Sequence, residues 1–241
     1  MQDINFFIKE NNIKKLLAIF PHPDDESYVS GGLFQVLHNF EVNTKLICLT
    51  KGKKGKNFLK KGDLGKIREQ ELKNASKILR IKSLEVYNYP DAGLKNCVKE
   101  WRGLLREKII NYEPQVVLTF DYSGITGHPD HIVTCDEVLK IIKSLKKRPI
   151  LIWRVPNGKE KKYFFENESL KYSVKPNLLV NYSFFISANK IKAIFSHQSQ
   201  IKNFQFKLHI IDWFFFDHQE PYYKVDLKKN YEFEYVHYKI N

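Results

Sequence analysis

The chain has 241 residues, 43% of them hydrophobic and 28% charged, with 40 Lys and Arg against 27 Asp and Glu for a formal charge of +13. These values exclude a disordered or fibrous chain, and apolar runs no longer than LLAIF or WFFF exclude one embedded in a bilayer. The positive charge suits an anionic partner, but the lysines are spread along the chain with no nucleic-acid-binding motif, so no specific nucleic acid is expected. The first residues, MQDINFFIKENNIKKLL, do not read as a secretory leader. Cys48, Cys97 and Cys135 form neither a disulfide framework nor a CxxC knuckle, which favours a reducing compartment, the cytoplasm.

In chain order, KKLLAIF is a short apolar strand stopped by Pro21, and SGGLFQVLHNF has helical apolar spacing. TKLICLT reads as a second strand, followed by the Gly- and Lys-rich loop Lys51–Gly65. A helix follows with Ile67, Leu72, Ala75, Ile78 and Leu79 on one stripe. SLEVYNY is a third strand, closed by Pro90, and CVKEWRGLLREKIINY a third helix, ended by Pro114. QVVLTF, DHIVTCDEVLKIIKSL and PILIWRV then read as strand, helix and strand. Apolar strands separated by amphipathic helices predict an α/β fold: a Rossmann-like, doubly wound, mainly parallel sheet of order 3-2-1-4-5 over residues 1–156. Residues 157–241 read as an appended α+β portion of one domain. Strands are expected at KYFFENESLKYSV and YEFEYVHYKI, and a helix at NKIKAIFSHQSQIKNFQF with Asn189 as its N-cap. The aromatic tract Ile210–Tyr223 suits core, a subunit interface or stacking on a sugar ring.

Two clusters carry chemistry. PHPDDE (Pro21–Glu26) follows the first strand, and GHPDH (Gly127–His131) follows the fourth. In the order 3-2-1-4-5 these strands are neighbours whose helices leave to opposite faces, so the clusters should meet at the switch point where such sheets bind ligands. There His22, Asp24, Asp25, His128, Asp130 and His131 gather three imidazoles and three carboxylates. A catalytic zinc takes three protein ligands of these types, and three groups would remain for proton transfer and oxyanion stabilisation. Either cluster taken singly also reads as a helix cap or a Pro-Asp turn.

The paired motifs resemble those of the LmbE/PIG-L superfamily of zinc-dependent N-deacetylases. The resemblance runs from about Leu16 to Trp153, with a weaker echo in KIKAIFSHQSQ (Lys190–Gln200). It implies that His22, Asp25 and His131 hold the metal, Zn2+ with Fe2+ also fitting such donors. It further implies Asp24 as general base, His128 as the group that stabilises the oxyanion or protonates the leaving amine, and Asp130 as the carboxylate orienting His128. A carboxylate there is expected to favour the charged imidazole. Arg68 and Asp91 match family positions that contact substrate, while Thr126 stands where some members carry a tyrosine.

The implied activity is removal of an N-acetyl group from an N-acetylglucosamine-type conjugate. The partner is then a small N-acetylated sugar conjugate, anionic if the Lys51–Gly65 loop closes over it, and a homo-oligomer is compatible with the sequence. Two alternatives stand: an amidase acting on another acyl conjugate, and a basic nucleic-acid-binding protein, which salt-dependent, metal-independent binding would reveal.

Overall fold

Strands that are apolar on both faces need cover on both, and the central sheet obtains it. The computed structural model of the chain describes residues 1–215 and 218–231. In chain order the elements are β1 (Gln2–Asp3), α1 (Ile4–Glu10), β2 (Lys15–Phe20), α2 (Asp25–Asn39), β3 (Asn43–Thr50), α3 (Leu64–Ile78), β4 (Ser83–Tyr89), α4 (Val98–Tyr112), β5 (Val116–Phe120) and α5 (Gly124–Gly127). They continue with α6 (Pro129–Ser144), β6 (Ile150–Arg154), α7 (Gly158–Tyr163), β7 (Leu178–Asn181), α8 (Phe184–Ser196), α9 (Phe204–Phe215) and β8 (Gln219–Lys224).

The sheet order is β1-β7-β8-β6-β5-β2-β3-β4. Its stretch β4-β3-β2-β5-β6 is all parallel and reproduces the expected 3-2-1-4-5 order. The sheet then extends by three strands, with β8 antiparallel to both β6 and β7. Along β2, Leu16, Ala18 and Phe20 pack into one core and Leu17 and Ile19 into the other, as the two-residue period of a strand demands. Helix α2 covers the first face through Leu33, Phe34 and Leu37, and α6 covers the second through Val138, Ile141 and Ile142. Each such fully buried side chain stabilises the fold by about 1.5–3 kcal/mol. Because β2 and β5 are adjacent while α2 and α6 leave to opposite faces, a crevice opens at their carboxyl ends.

Helix α2 is kinked at Ser30 (φ −139°, ψ 15°), which frees backbone groups on either side. Buried charges meet them. Arg154 Nε donates to the Val29 carbonyl at 2.7 Å and is itself paired with Glu160. The amides of Gly32 and Leu33 donate to the two oxygens of Glu220 at 2.8 and 2.9 Å, and Lys190 pairs with the same carboxylate. The kink therefore ties α2 to β6, β8 and α8.

The C-terminal portion departs from the sequence reading. No strand forms over KYFFENESLKYSV. Asn157 and Glu160 make a capping box that starts α7, and Asn167 caps a 3-10 turn over Glu168–Tyr172, so short-range capping overrides the β-prone composition. Helix α8 starts after Ser183 rather than at Asn189, because packing against α2 and α3 extends it. Its expected continuation is broken by a 3-10 turn, Gln198–Gln200, before α9. The strand expected at YEFEYVHYKI lies outside the described residues apart from Tyr231. Helix α1, capped by Asp3, was too short to show a period in the sequence. Among the described residues no helix is long and apolar enough to cross a membrane.

Candidate active site

The two motifs meet at the crevice. His22 Nδ1 lies 3.2 Å from His131 Nε2 and 3.7 Å from Asp25 Oδ2, and His131 Nε2 lies 3.3 Å from Asp25 Oδ1. The outer partners fix both tautomers. His131 Nδ1 faces the Gly124 carbonyl at 2.8 Å, which only accepts, so Nδ1 carries the proton. His22 Nε2 faces Asp130 Oδ2 at 3.2 Å and Asp91 Oδ1 at 3.3 Å, so it too is the donor. In these tautomers His22 Nδ1 and His131 Nε2 carry no proton of their own and face each other and the Asp25 carboxylate. Three lone pairs at this spacing repel unless a cation lies among them. The edge of a tetrahedron with ligands at about 2.0–2.1 Å is about 3.3–3.4 Å, close to the spacings found.

The electrostatics agree. Burial disfavours charge on His22, but its bonds to Asp130 and Asp91 outweigh burial and raise its pKa to about 10. A proton on His22 then fills the role of the cation. Asp25 is lowered, its burial outweighed by His131 and His22. Donor atoms of His22, His128 and His131 also lie within 4.8 Å of one another, as do those of His22, Asp91 and Asp130. A His/Asp group able to hold a metal ion is therefore built into the crevice.

Gly124 makes the His131 contact feasible. Its φ is +55°, and a Cβ there would stand 2.9 Å from the Cβ of His131. Two residues further, Gly127 has φ +76° and a Cβ would meet Asn167 Oδ1 at 2.3 Å.

Asp24 takes no part in the lone-pair cluster. It adopts φ 105°, a left-handed conformation that costs a non-glycine residue about 1–3 kcal/mol and is retained only when its surroundings impose it. Its amide donates to Glu26 Oε2 at 3.0 Å, and its Oδ2 accepts from Arg68 Nη2 at 2.9 Å. Burial raises its pKa above the ordinary carboxylate value, with Arg68 pulling the other way. Glu26 in turn accepts from Ser27 Oγ and pairs with the buried His197 at 2.8 Å. Both Glu26 and His197 are fully buried behind the site.

Four residues, Asp130, His128, Arg68 and Asp91, sit in surroundings other than those expected. Asp130 was expected to orient His128, but its carboxylate accepts from His22 Nε2 and from the amides of Ala92 and Leu94. Only the backbone amide of Asp130 touches His128, donating to Nδ1 at 3.2 Å, because His128 is the N-cap of α6. His128 was expected to be charged; burial, then the neighbouring His22 and His131, lower its pKa to about 4, so it is neutral with the proton on Nε2. Arg68, 4% exposed, gives both Nη atoms to the protein, to Pro23 O, Gly52 O and Asp24. Asp91 accepts from His22 Nε2 and from the Lys54 amide at 2.6 Å; burial pushes its pKa up, but these bonds lower it to about 2. Both residues still line the cavity.

The sequence profile of the PIG-L family, described as GlcNAc-PI de-N-acetylase, matches residues 17–142, a span that contains both motifs. The chain belongs to the PIG-L family. It is 35% identical over 146 residues to the "Probable N-acetyl-alpha-D-glucosaminyl L-malate deacetylase 2" of Bacillus anthracis, a match covering 57% of this chain and 64% of that one. The chain thus spans less than two thirds of that relative's length. It is 26% identical over 210 residues to the diacetylchitobiose deacetylase of Thermococcus kodakarensis, covering 83% of this chain and 76% of the other. Among solved structures, the N,N'-diacetylchitobiose deacetylase of Pyrococcus horikoshii superposes with a TM-score of 0.65 at 21% identity, covering 88% of this chain and 83% of that one, a likeness of fold.

In this PIG-L family chain the crevice opens into a cavity of about 530 Å³, a volume usual for a small-molecule site. Both motifs line it, together with the polar side chains of Lys54, Arg68, Asp91, Thr126, Glu160 and Gln200. Apolar surface comes from Tyr28 and Val29 of α2, Phe120 of β5, Tyr163 and Phe164 at the end of α7, and Phe206 and Ile210 of α9. Sequence reading did not single out Tyr163, Phe164 or Phe206. Their only signal is an aromatic in an irregular region, which resembles ordinary core. The Lys51–Gly65 loop reaches the cavity at Lys54 and Gly55 and is tied down, since Phe58 N donates to Ser199 O and Gln200 Nε2 to Lys56 O.

Proposed function

We propose that this protein is a metal-dependent hydrolase that removes the N-acetyl group from an N-acetylglucosamine-type conjugate. The observation that carries this reading is the lone-pair cluster of His22, His131 and Asp25 with a second carboxylate, Asp24, outside that cluster but lining the same cavity. The names of its relatives support the same class of substrate.

His22, Asp25 and His131 would hold the ion; two nitrogens and a carboxylate favour zinc, with iron(II) as the alternative. Such an ion supplies Lewis acidity, polarising the amide carbonyl and acidifying a water toward a pKa of ~7. Asp24 accepts the proton of the attacking water, a task helped by the raised proton affinity that burial gives it, and returns that proton to the departing amine. His128, its Nδ1 held by the Asp130 amide, keeps Nε2–H free to donate to the developing oxyanion, a contact whose loss costs about 2.7–4 kcal/mol. Neutral, it stabilises charge rather than supplying the proton. Asp130 and Asp91 fix the His22 tautomer, and Arg68 positions Asp24. The C-terminal portion belongs to the same domain, lining the cavity through Glu160, Tyr163, Phe164, Gln200, Phe206 and Ile210, and the free cysteines support a cytoplasmic location. A different acyl group in the same cavity would give the amidase alternative.

Metal analysis paired with acetate release tests this reading. The purified chain should carry one divalent ion and release acetate from N-acetylglucosamine conjugates, with loss on chelation and recovery on adding Zn2+. Asp25→Ala and His131→Ala should both lose the ion. Full metal content in both variants would overturn the ligand set, and chelator-insensitive acetate release would overturn the mechanism.

A further inference from the structure

Helix α8 runs into a short turn, residues 197–200, and two polar side chains of that turn, His197 and Ser199, are fully buried. His197 Nε2 lies 2.8 Å from Glu26 Oε1 and 3.5 Å from Ser27 Oγ, while its Nδ1 has no hydrogen-bond partner among the described residues. The ring is therefore directed at Glu26. That buried carboxylate also accepts from the Asp24 amide through Oε2 at 3.0 Å and from Ser27 Oγ through Oε1. A buried carboxylate is held in place by its donors. Two of these donors belong to the motif itself and move with it, whereas His197 comes from 171 residues away, at the end of α8. His197 thus ties Glu26, and through it the Asp24 amide, to the rest of the molecule.

Two residues on, Ser199 holds the other support of Asp24. Its amide and its Oγ donate to the two oxygens of the buried Glu71, at 2.7 Å each. Glu71 stands three residues after Arg68 in α3, one helical turn along the same face. Arg68 donates to Asp24 Oδ2 and to the Pro23 carbonyl. Asp24 is gripped by its amide from one side and by its carboxylate from the other, and both grips trace to one turn. They act against strain, because Asp24 holds φ 105°, a conformation a non-glycine residue keeps only while its surroundings impose it.

We propose that the turn after α8 positions the general base: His197 fixes Glu26, which holds the Asp24 amide, and Ser199 fixes Glu71 and with it the helical turn that carries Arg68. The role of Asp24 as base rests on the deacetylase reading; the positioning of Asp24 does not. With 0% exposure, His197 has no surface to offer a substrate, so it is a positioning residue that acts through Asp24.

His197→Phe keeps a ring of similar volume and removes the donor, and His197→Gln restores an N–H at a similar reach. In the metal-loaded chain, hydrogen exchange of the Asp24 amide, followed by NMR, should quicken about tenfold or more in His197→Phe while the amides of β2 and β3 stay protected. It should return toward wild type in His197→Gln. Acetate release from N-acetylglucosamine conjugates should fall about 10–100-fold in kcat in His197→Phe, with KM and metal content unchanged, and recover in His197→Gln. In an Asp24→Asn background the same change should lower kcat no further, because a positioning residue has no effect once its target is gone. Equal losses in the two backgrounds, loss of the ion together with kcat, or unchanged exchange at Asp24 would each overturn the proposal. Ser199→Ala, a milder change that serves if His197→Phe does not fold, tests the second grip. A kcat lowered in the wild-type background but not in Asp24→Asn upholds it, and an unchanged kcat or equal losses overturn it. Exchange at Asp24 that responds as expected in a chain releasing no acetate upholds the positioning and overturns the deacetylase reading instead.

Discussion

The two motif loops reach one site by different physical routes. GHPDH is organised by its own neighbourhood: His128 caps α6 and takes the Asp130 amide, and His131 donates to Gly124 seven residues earlier. PHPDDE is held from afar. Arg68 of α3 grips the Pro23 carbonyl and the Asp24 carboxylate, His197 beyond α8 backs Glu26, and Asp91 and Asp130 share His22. Each loop has one strained non-glycine residue, but in the GHPDH loop it is Ile125 (φ 59°), before the motif, whereas in PHPDDE it is Asp24 (φ 105°), within the motif. The Asp24 carboxylate, outside the lone-pair cluster, takes its position from the distant Arg68.

Three substitutions can break or sharpen this contrast. Asp24→Asn, which tolerates the positive φ, should leave metal content unchanged and lower kcat by about 10²–10⁴. Turnover near wild type would show that the distant contacts hold a bystander. Asp130→Asn should weaken metal affinity about 10–100-fold, read by chelator competition, because it removes an acceptor that fixes the His22 tautomer. A change in kcat at saturating metal with no change in affinity would instead restore the expected link to His128. Arg68→Met should have the smallest effect, about tenfold in kcat, with a distinctive sign. The Arg68 charge holds the Asp24 pKa down, so its loss raises that pKa further. Since the base works ionised, the acid limb of the kcat/KM profile should move to higher pH. A limb that stays put while KM rises would return Arg68 to substrate binding.

Much of the site was legible because its donors are contiguous. His22, Asp24 and Asp25 follow one strand, His128, Asp130 and His131 follow another, and the alternation of strands and helices makes those strands neighbours. The partners of those side chains were harder to read. The resemblance implied a bond from the Asp130 carboxylate to His128, but the first turn of α6 turns its backbone amide to His128 and its carboxylate to His22. Arg68 was marked by resemblance, but its direction depends on how α3 packs. Beyond β6 the pattern failed more broadly, since capping by Asn157 and Asn167 decided what β-prone residues would do.

The sequence by itself determined the parallel order of the five central strands and the donor set at their carboxyl ends, because period and spacing are local properties that survive any packing. Only the tertiary structure decided the kink of α2, the strained setting of Asp24, the neutral state of His128 and the placing of α9 over the cavity. Each of these is settled by buried charge pairs or apolar surfaces tens to hundreds of residues apart, and a linear chain does not display which of its distant groups will share one desolvated volume.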